Sequence, residues 1–63
     1  MNAVNILARD LQIGDEILLD QKPHSVAVVA ARDGGTYVVA YRTNEVPQKL
    51  HFLHDQHVRK MLP

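Results

Sequence analysis

The sequence predicts a small, mainly β domain, with a five-stranded barrel as the expected architecture. Residues 16–20, 25–32 and 36–42 are rich in Val, Ile, Leu, Tyr and Thr, which pack well on a pleated surface. Turn-forming residues separate these segments, namely Pro23 and the run Asp33-Gly34-Gly35. A chain of 63 residues is expected to form one domain of this kind.

Residues 25–32 and 36–42 are predicted to pair as a hairpin, because the glycines between them supply the positive φ angles that tight turns need. With a two-residue loop, the face that carries Tyr37, Val39 and Tyr41 also carries Val26, Val28 and Ala30. With a three-residue loop and a bulge, it carries Ala27, Val29 and Ala31 instead. We favour the second register, because small alanines opposite tyrosines fill space evenly. Either register leaves both faces apolar, so both are expected to be covered, by the curling barrel or by another chain.

The sequence also predicts the loop before the first strand and the turn after it. Leu11 and Ile13 are expected to anchor the loop to the core, while Gly14 allows the chain to turn sharply into the strand. The turn after the strand is placed at residues 21–24, where Pro23 fixes φ.

The two ends of the chain leave alternatives open. Residues 47–62 form two strands if Leu50 and Phe52 share a face. They form a helix, with Pro47 in its first turn, if the shared face is that of Leu50, Leu53, His57 and Met61. We favour strands, because they complete the barrel. Residues 1–8 are interpreted as an N-terminal tail or an edge strand, and residues 9–63 as the barrel domain.

The run Asp10-Leu11-Gln12-Ile13-Gly14-Asp15-Glu16-Ile17 resembles the D-L-x-x-G-D-x-I opening of several small β-barrels. With the strand and glycine turn that follow, it is similar to the KOW-like, SH3-like N-terminal domain of the bacterial elongation factor P family. The opening also resembles part of the Hint modules of inteins, and the layout is similar to that of small orphan proteins of actinobacteria and their phages. The resemblance covers about half the chain and implies an SH3-like barrel.

The chemistry of these families is not expected here. The elongation-factor family carries a modifiable lysine in the glycine hairpin, and Asp33-Gly34-Gly35-Thr36 contains none. Hint modules need a nucleophilic Cys or Ser at their first residue, where this chain has Met1, so self-splicing is not expected.

Composition narrows the classes of function. The chain has no cysteine, which removes disulfides, thiolate zinc sites and cysteine nucleophiles. Seven basic and seven acidic residues cancel, which argues against non-specific binding of DNA through phosphate neutralisation. No stretch approaches the roughly 20 apolar residues of a membrane span, so a cytoplasmic protein is expected.

The hairpin supplies the candidate binding residues. Two tyrosines two residues apart share a face, with basic side chains nearby, as on the contact surfaces of SH3-like and oligonucleotide-binding barrels. The candidate set is Arg32, Tyr37, Tyr41, Arg42 and Lys49. The alternative is that both rings belong to the core and only their hydroxyl groups reach water.

The histidines are weak candidates for a metal site. His51, His54 and His57 lie three residues apart, with Asp55 as the nearest additional ligand. Zinc needs three or four converging ligands, whereas exposed polar residues on a strand and a turn account for the same pattern more simply. No metal or other cofactor is expected.

These observations predict a non-enzymatic binding module that acts through protein–protein contact, with self-association into a homodimer as one form of it. A homodimer would cover the second apolar face of the hairpin and support a short core. The alternative is a barrel that binds single-stranded DNA or RNA. No acid–base pair, activated nucleophile or phosphate loop is visible in the sequence, so catalysis is not expected.

Overall fold

The computed structural model describes residues 2–62, which form six antiparallel strands in one sheet. A single turn of 3₁₀ helix, Ala8–Asp10, follows the first strand. The strands are β1 (Ala3–Leu7), β2 (Glu16–Leu19), β3 (Lys22–Arg32), β4 (Gly35–Tyr41), β5 (Gln48–Leu53) and β6 (His57–Met61). The prediction of a mainly β protein is therefore confirmed. No helix within residues 2–62 has the length and apolar character needed to cross a lipid bilayer.

The predicted five-stranded barrel is wrong, because the sheet is open and has a sixth strand. Its spatial order is β1-β6-β2-β3-β4-β5, so β1 and β5 are its two edges. The extra strand is residues 3–7, which pair along their whole length with β6, from Ala3 opposite Met61 to Leu7 opposite His57. A barrel closes when the first and last strands of the order pair with each other, whereas here they are the two edges of the sheet.

The turn of the central hairpin has two residues. Asp33 (φ 48°) and Gly34 (φ 76°) both lie in the left-handed region, as a type I′ turn requires, and Arg32 pairs with Gly35 directly beyond them. Near the turn, Tyr37 therefore faces the same side as its partner Ala30. The predicted three-residue loop is therefore wrong. The packing of small alanines opposite tyrosines did not predict the register, because the two-residue turn alone sets it at this end of the hairpin.

A β-bulge changes the register further along the same hairpin. The pairing shifts between Val26 and Val28, so Val26 lies opposite Ala40 and Val28 opposite Val39. Val26 consequently points to the core with Ala40, although the two-residue loop alone would place it on the face of the tyrosines. Neither register predicted from the sequence holds along the whole hairpin.

The turn between β2 and β3 also lies elsewhere than predicted. It consists of Asp20 (φ 51°) and Gln21 (φ 64°), closed by the pair of Leu19 and Lys22, and Pro23 belongs to β3. In a hairpin with a two-residue turn, the pair after the closing pair exchanges no hydrogen bonds, so the Pro23 nitrogen points away from β2. The pairing of β3 with β4 ends at Ser25, so Pro23 has no partner strand on that side and no hydrogen bond of the sheet is lost at the proline.

Gln21 is in an unfavourable conformation for a side chain, because a residue with a Cβ pays about 1 kcal/mol in the left-handed region. We expect Gln21→Gly to raise the free energy of unfolding by about 0.5–1 kcal/mol. Urea denaturation measures this change, and Gln48→Gly in β5 is the matched control, expected to lose a similar amount. A destabilised Gln21→Gly variant would contradict the turn assignment.

The C-terminal third is extended, as favoured from the sequence, and the helical alternative is wrong. Leu50 and Phe52 of β5 lie opposite Val38 and Thr36 of β4, which places both on the core side. The two-residue periodicity fits a strand that can pair, and this pairing decides between the two patterns that the sequence allowed.

The core lies on one side of the sheet. Ile17, Val38 and Ala40 are each 0% exposed, which one flat layer cannot achieve, so the sheet bends around them. Ala8, the first residue of the short helix, and Leu11, which follows the helix, join this cluster and help to cover it.

The loop of the D-L-x-x-G-D-x-I run has a defined structural role. Leu11 is buried, whereas Ile13 is 72% exposed, so the prediction that both anchor the loop is wrong for Ile13. Gly14 has a φ of 96°, and its N–H donates to the Val26 carbonyl over 2.9 Å. The Asp15 carboxylate accepts from the Gln12 N–H at 2.9 Å and lies 3.3 Å from Lys60 Nζ. The positive φ angle and these contacts explain why the run has glycine at position 14 and aspartate at position 15.

Candidate functional site

The site with the clearest binding character is the side of β3, β4 and β5 that faces away from the core, called the outer face below. Side chains alternate between the two sides of a sheet, and the observed registers settle which residues share this one. The outer face consists of Val28, Ala30, Arg32, Tyr37, Val39, Tyr41, Lys49, His51 and Leu53.

Cross-strand pairs arrange these residues in rows. Tyr37 lies between Ala30 and His51, and the next row is formed by Val28, Val39 and Lys49. Directly opposed side chains are about 5 Å apart, so each row is a continuous surface. Exposed apolar groups lie at its margins: Val28 is 40% exposed, Tyr41 44% and Leu53 55%.

Two contacts order the end of the outer face near the Asp33-Gly34 turn. The Arg32 guanidinium carbon lies 4.9 Å from the centre of the Tyr37 ring, which is a cation–π distance. The Nε2 atom of His51 lies 3.1 Å from the Arg32 carbonyl oxygen. The imidazole reaches this oxygen by passing over Gly35, since a Cβ at Gly35 would lie 3.1 Å from His51 Cε1. Arg32, Tyr37 and His51 are thus held in one arrangement.

The ionisable groups of the outer face are basic or phenolic. Apart from its tyrosines they are Arg32, Lys49 and His51, and none of its nine residues is Asp or Glu. The nearest carboxylates in sequence are Asp33, Glu45 and Asp55, which lie in the turns before β4, after β4 and after β5. A protein with no net charge therefore has a locally positive, apolar surface.

Four of the five candidate binding residues converge on the outer face: Arg32, Tyr37, Tyr41 and Lys49. Arg42 does not belong to it. It follows the last residue of β4 and pairs with Glu45, with 3.3 Å between Nη1 and Oε2. The candidate set left out Val39, although alternation in β4 places it between the two tyrosines, and Val28, whose place depends on the length of the hairpin turn. It also left out His51 and Leu53, because their place depends on the pairing of β5. Alternation within β5 would have linked Lys49, His51 and Leu53, had its strand character been certain.

The structure disperses the three candidate metal ligands. His51 belongs to the outer face, His54 lies in the turn between β5 and β6, and His57 begins β6 opposite Leu7. Within residues 2–62 no group of three His, Asp or Glu side chains is placed to hold a metal ion. The fourth histidine, His24, is buried, and its Nδ1 lies 2.9 Å from the Lys22 carbonyl oxygen.

An open depression of about 540 Å³ lies beside the Asp33-Gly34 turn. Arg9 and His54 line it together with residues 31–36 of the hairpin. Its lining includes the carboxylate-bearing Asp33 as well as two arginines, so its charge does not define a class of ligand.

Comparisons with protein-family models, curated proteins and solved structures give no match to this chain. The resemblance to SH3-like domains stays a prediction based on residues 8–20 and the hairpin after them.

Proposed function

We propose that this protein is a binding module that holds an apolar, acidic segment of a protein partner on its outer face. The observation that carries the proposal is the composition of that face: exposed Val28, Tyr41 and Leu53 together with basic groups, and no carboxylate. A single exposed apolar residue is ordinary, but here the half-buried Tyr37 and Val39 join the exposed residues into one apolar surface across three paired strands, which is typical of interaction surfaces.

The amount of exposed surface also supports a partner. The accessible surface is 4484 Å². A compact monomer of 7.1 kDa is expected to expose about 4100 Å². The excess, roughly a tenth, fits an open sheet that leaves its outer face uncovered, and it is smaller than the about 800 Å² that each partner contributes to a standard interface.

The charge of the outer face favours one kind of segment. Arg32 on β3 and Lys49 on β5 lie on opposite sides of the apolar residues of the outer face, so a bound segment with an apolar middle and acidic flanks matches both features. Such complementarity mainly raises the association rate and excludes basic segments, while the apolar contacts supply most of the affinity. Tyr41 is expected to contribute most to that affinity, because exposed tyrosines are over-represented among residues that dominate binding energy.

A second candidate is binding of single-stranded nucleic acid, and one observation favours it. Tyr37 and Tyr41 lie on the same face, with Lys49 one strand away. Bases stack on exposed aromatic rings while basic side chains contact the phosphates. Tyr37 is less suited to this role than Tyr41, because Arg32 already lies over its ring.

The test compares two probes on one pair of variants. Short random peptides are selected against the wild-type protein, and their affinities are measured by fluorescence anisotropy beside those of oligo(dT) and oligo(U) at low salt. The double variant Val28→Ser/Tyr41→Ser removes two exposed groups of the outer face. Ile13→Ser is the control, because it removes an apolar side chain that is even more exposed and lies outside this face.

We expect selected peptides to be apolar with acidic residues, and the double variant to weaken their binding at least about tenfold. Ile13→Ser is expected to leave it unchanged. Salt-sensitive binding of oligonucleotides without peptide binding would establish the second candidate in place of the first. Peptides that bind both variants equally well would show that the outer face is not the site.

A further inference from the structure

The edge strand β5 has free backbone groups whose direction follows from the turn of the central hairpin. Arg32 and Gly35 close a two-residue turn and so exchange hydrogen bonds. The alternate residues of β4 therefore direct their N–H and C=O groups towards β5, where Phe52, Leu50 and Gln48 receive them. The groups of Lys49, His51 and Leu53 consequently point away from the sheet.

Contacts of Leu53 support this direction. Its N–H donates to the Gln56 side-chain oxygen at 2.7 Å, and its carbonyl accepts from the Gln56 N–H at 3.0 Å. Both backbone groups of Leu53 are thus satisfied outside the β4 ladder. Those of Lys49 and His51 have no such partner within residues 2–62, and they form a short free edge.

Side chains at the same edge are incompletely covered. Leu50 and Phe52 face the core and pack against its buried cluster, yet both remain partly exposed, because no strand lies beyond β5. A further strand at this position would pair the free backbone groups and cover these two side chains together.

We infer that β5 pairs antiparallel with β5 of a second copy of this chain, with the two-fold axis at Leu50. At the β5 edge, the bound partner is therefore a second copy of the same protein. The inference builds on the proposed binding function, but it concerns backbone pairing at the edge and leaves the outer face open.

We choose a second copy because the free groups of this edge match each other under two-fold symmetry and the resulting pair is closed. The register follows from a comparison of three positions of the axis. An axis at Lys49 would place two lysines directly opposite each other, which is unfavourable. An axis at His51 would pair Leu53 with Lys49 of the partner, although the backbone groups of Leu53 are already bonded to Gln56. An axis at Leu50 pairs Lys49 with His51 of the other copy, uses only free groups and forms four hydrogen bonds.

The geometry has a functional consequence. A two-fold axis perpendicular to the sheet places both outer faces on the same side, so the dimer presents two copies of the binding surface in one continuous sheet. A partner with two suitable segments would then bind with higher apparent affinity than one segment alone. Pairing of β5 with β5 also closes the assembly, whereas pairing of β5 with β1 would continue into a fibre.

Sedimentation of the full chain over a wide concentration range tests the pairing, with a mass of twice 7.1 kDa expected. His51→Pro removes an outward N–H, and His51→Ala is its control, because both variants lose the imidazole. We expect His51→Pro to weaken dimerisation about 100-fold, since symmetry removes two donors worth roughly tenfold each, and His51→Ala to remain dimeric. Lys49→Pro and Lys49→Ala form a second pair with the same expectation if His51→Pro does not fold.

Disulfide cross-linking tests the register, because the natural chain has no cysteine that could form other disulfides. In the inferred dimer, Leu50→Cys places two Cα atoms about 4.5 Å apart, and mild oxidation should join the copies by a disulfide. Gln48→Cys is the control: its two positions are offset by four residues, roughly 13 Å, and should not cross-link.

Three results would overturn the inference. They are a wild-type protein that stays monomeric at high concentration, equal dissociation by His51→Pro and His51→Ala, and dissociation by Asn5→Pro at the β1 edge instead. Peptide binding to the outer face is measured separately from dimerisation. A wild-type protein that stays monomeric but binds peptides would overturn the edge pairing alone, and a wild-type dimer whose outer face binds no peptide would overturn the proposed function alone.

Discussion

Replacing Gly35 by alanine is expected to lower the free energy of unfolding by about 3 kcal/mol or more, because no space exists for a methyl group. A Cβ at this position would overlap the carbonyl oxygen of Phe52 and lie 3.0 Å from its carbonyl carbon. These are backbone atoms of the paired strand β5, so they can withdraw only if β4 and β5 separate. A domain of this length is typically stable by roughly 3–9 kcal/mol, so the variant should be close to unfolding at room temperature.

Gly34 is the matched control, because it differs from Gly35 in the physical reason for being glycine. No atom lies within 4 Å of a Cβ at Gly34, but its φ of 76° is unfavourable for any other residue. Gly34→Ala should therefore cost only about 1 kcal/mol. Urea denaturation followed by circular dichroism measures both variants. Equal losses for the two, or a larger loss for Gly34→Ala, would contradict the close approach of β4 and β5.

This pair of glycines illustrates what the sequence can and cannot predict. The double glycine correctly indicates a turn, because glycine is common where φ is positive. It does not reveal that Asp33 and Gly34 form the turn, while Gly35 is required by a strand that begins thirteen residues later. The first property is local to four residues, and the second depends on which strands become neighbours.

The same distinction explains the register of the central hairpin. The turn demands that Arg32 pair with Gly35, and the core demands that Val26 face inward beside Ala40. An unbroken two-residue alternation cannot satisfy both, and the bulge at Ala27 reconciles them. Neither demand alone indicates a bulge, so the sequence left two simpler registers and both are incomplete.

The candidate site was predictable to the extent that it lies on one strand. Tyr37 and Tyr41 share a face by alternation within β4, whatever the neighbouring strands are. Lys49 and His51 join them only because β5 pairs with β4 in one particular register, which places His51 beside Tyr37. Arg42 was adjacent in sequence, but it lies past the end of β4 and pairs with Glu45.

Replacing Ile17 by alanine is expected to cost about 3–4 kcal/mol, because this residue joins the two halves of the sheet. Ile17 is 0% exposed and lies opposite His24 of β3 on one side and Lys60 of β6 on the other. The pair with Lys60 is the only strand pairing between β2 and β6 within residues 2–62, and Ile17 belongs to the same buried cluster as Val58 of β6, so its side chain lies where the two halves of the sheet meet. A cavity here removes apolar contacts from both halves at once.

Ile13→Ala provides the control within the same loop-and-strand run, because Ile13 is 72% exposed and its truncation should cost less than about 0.5 kcal/mol. Hydrogen exchange adds a more specific readout than stability. We expect Ile17→Ala to raise amide exchange in β1 and β6 more than in the β3–β4 hairpin, which keeps its own long ladder. Uniform loss of protection across all six strands would show instead that the sheet opens as one unit, and that Ile17 does not act as the link between its halves.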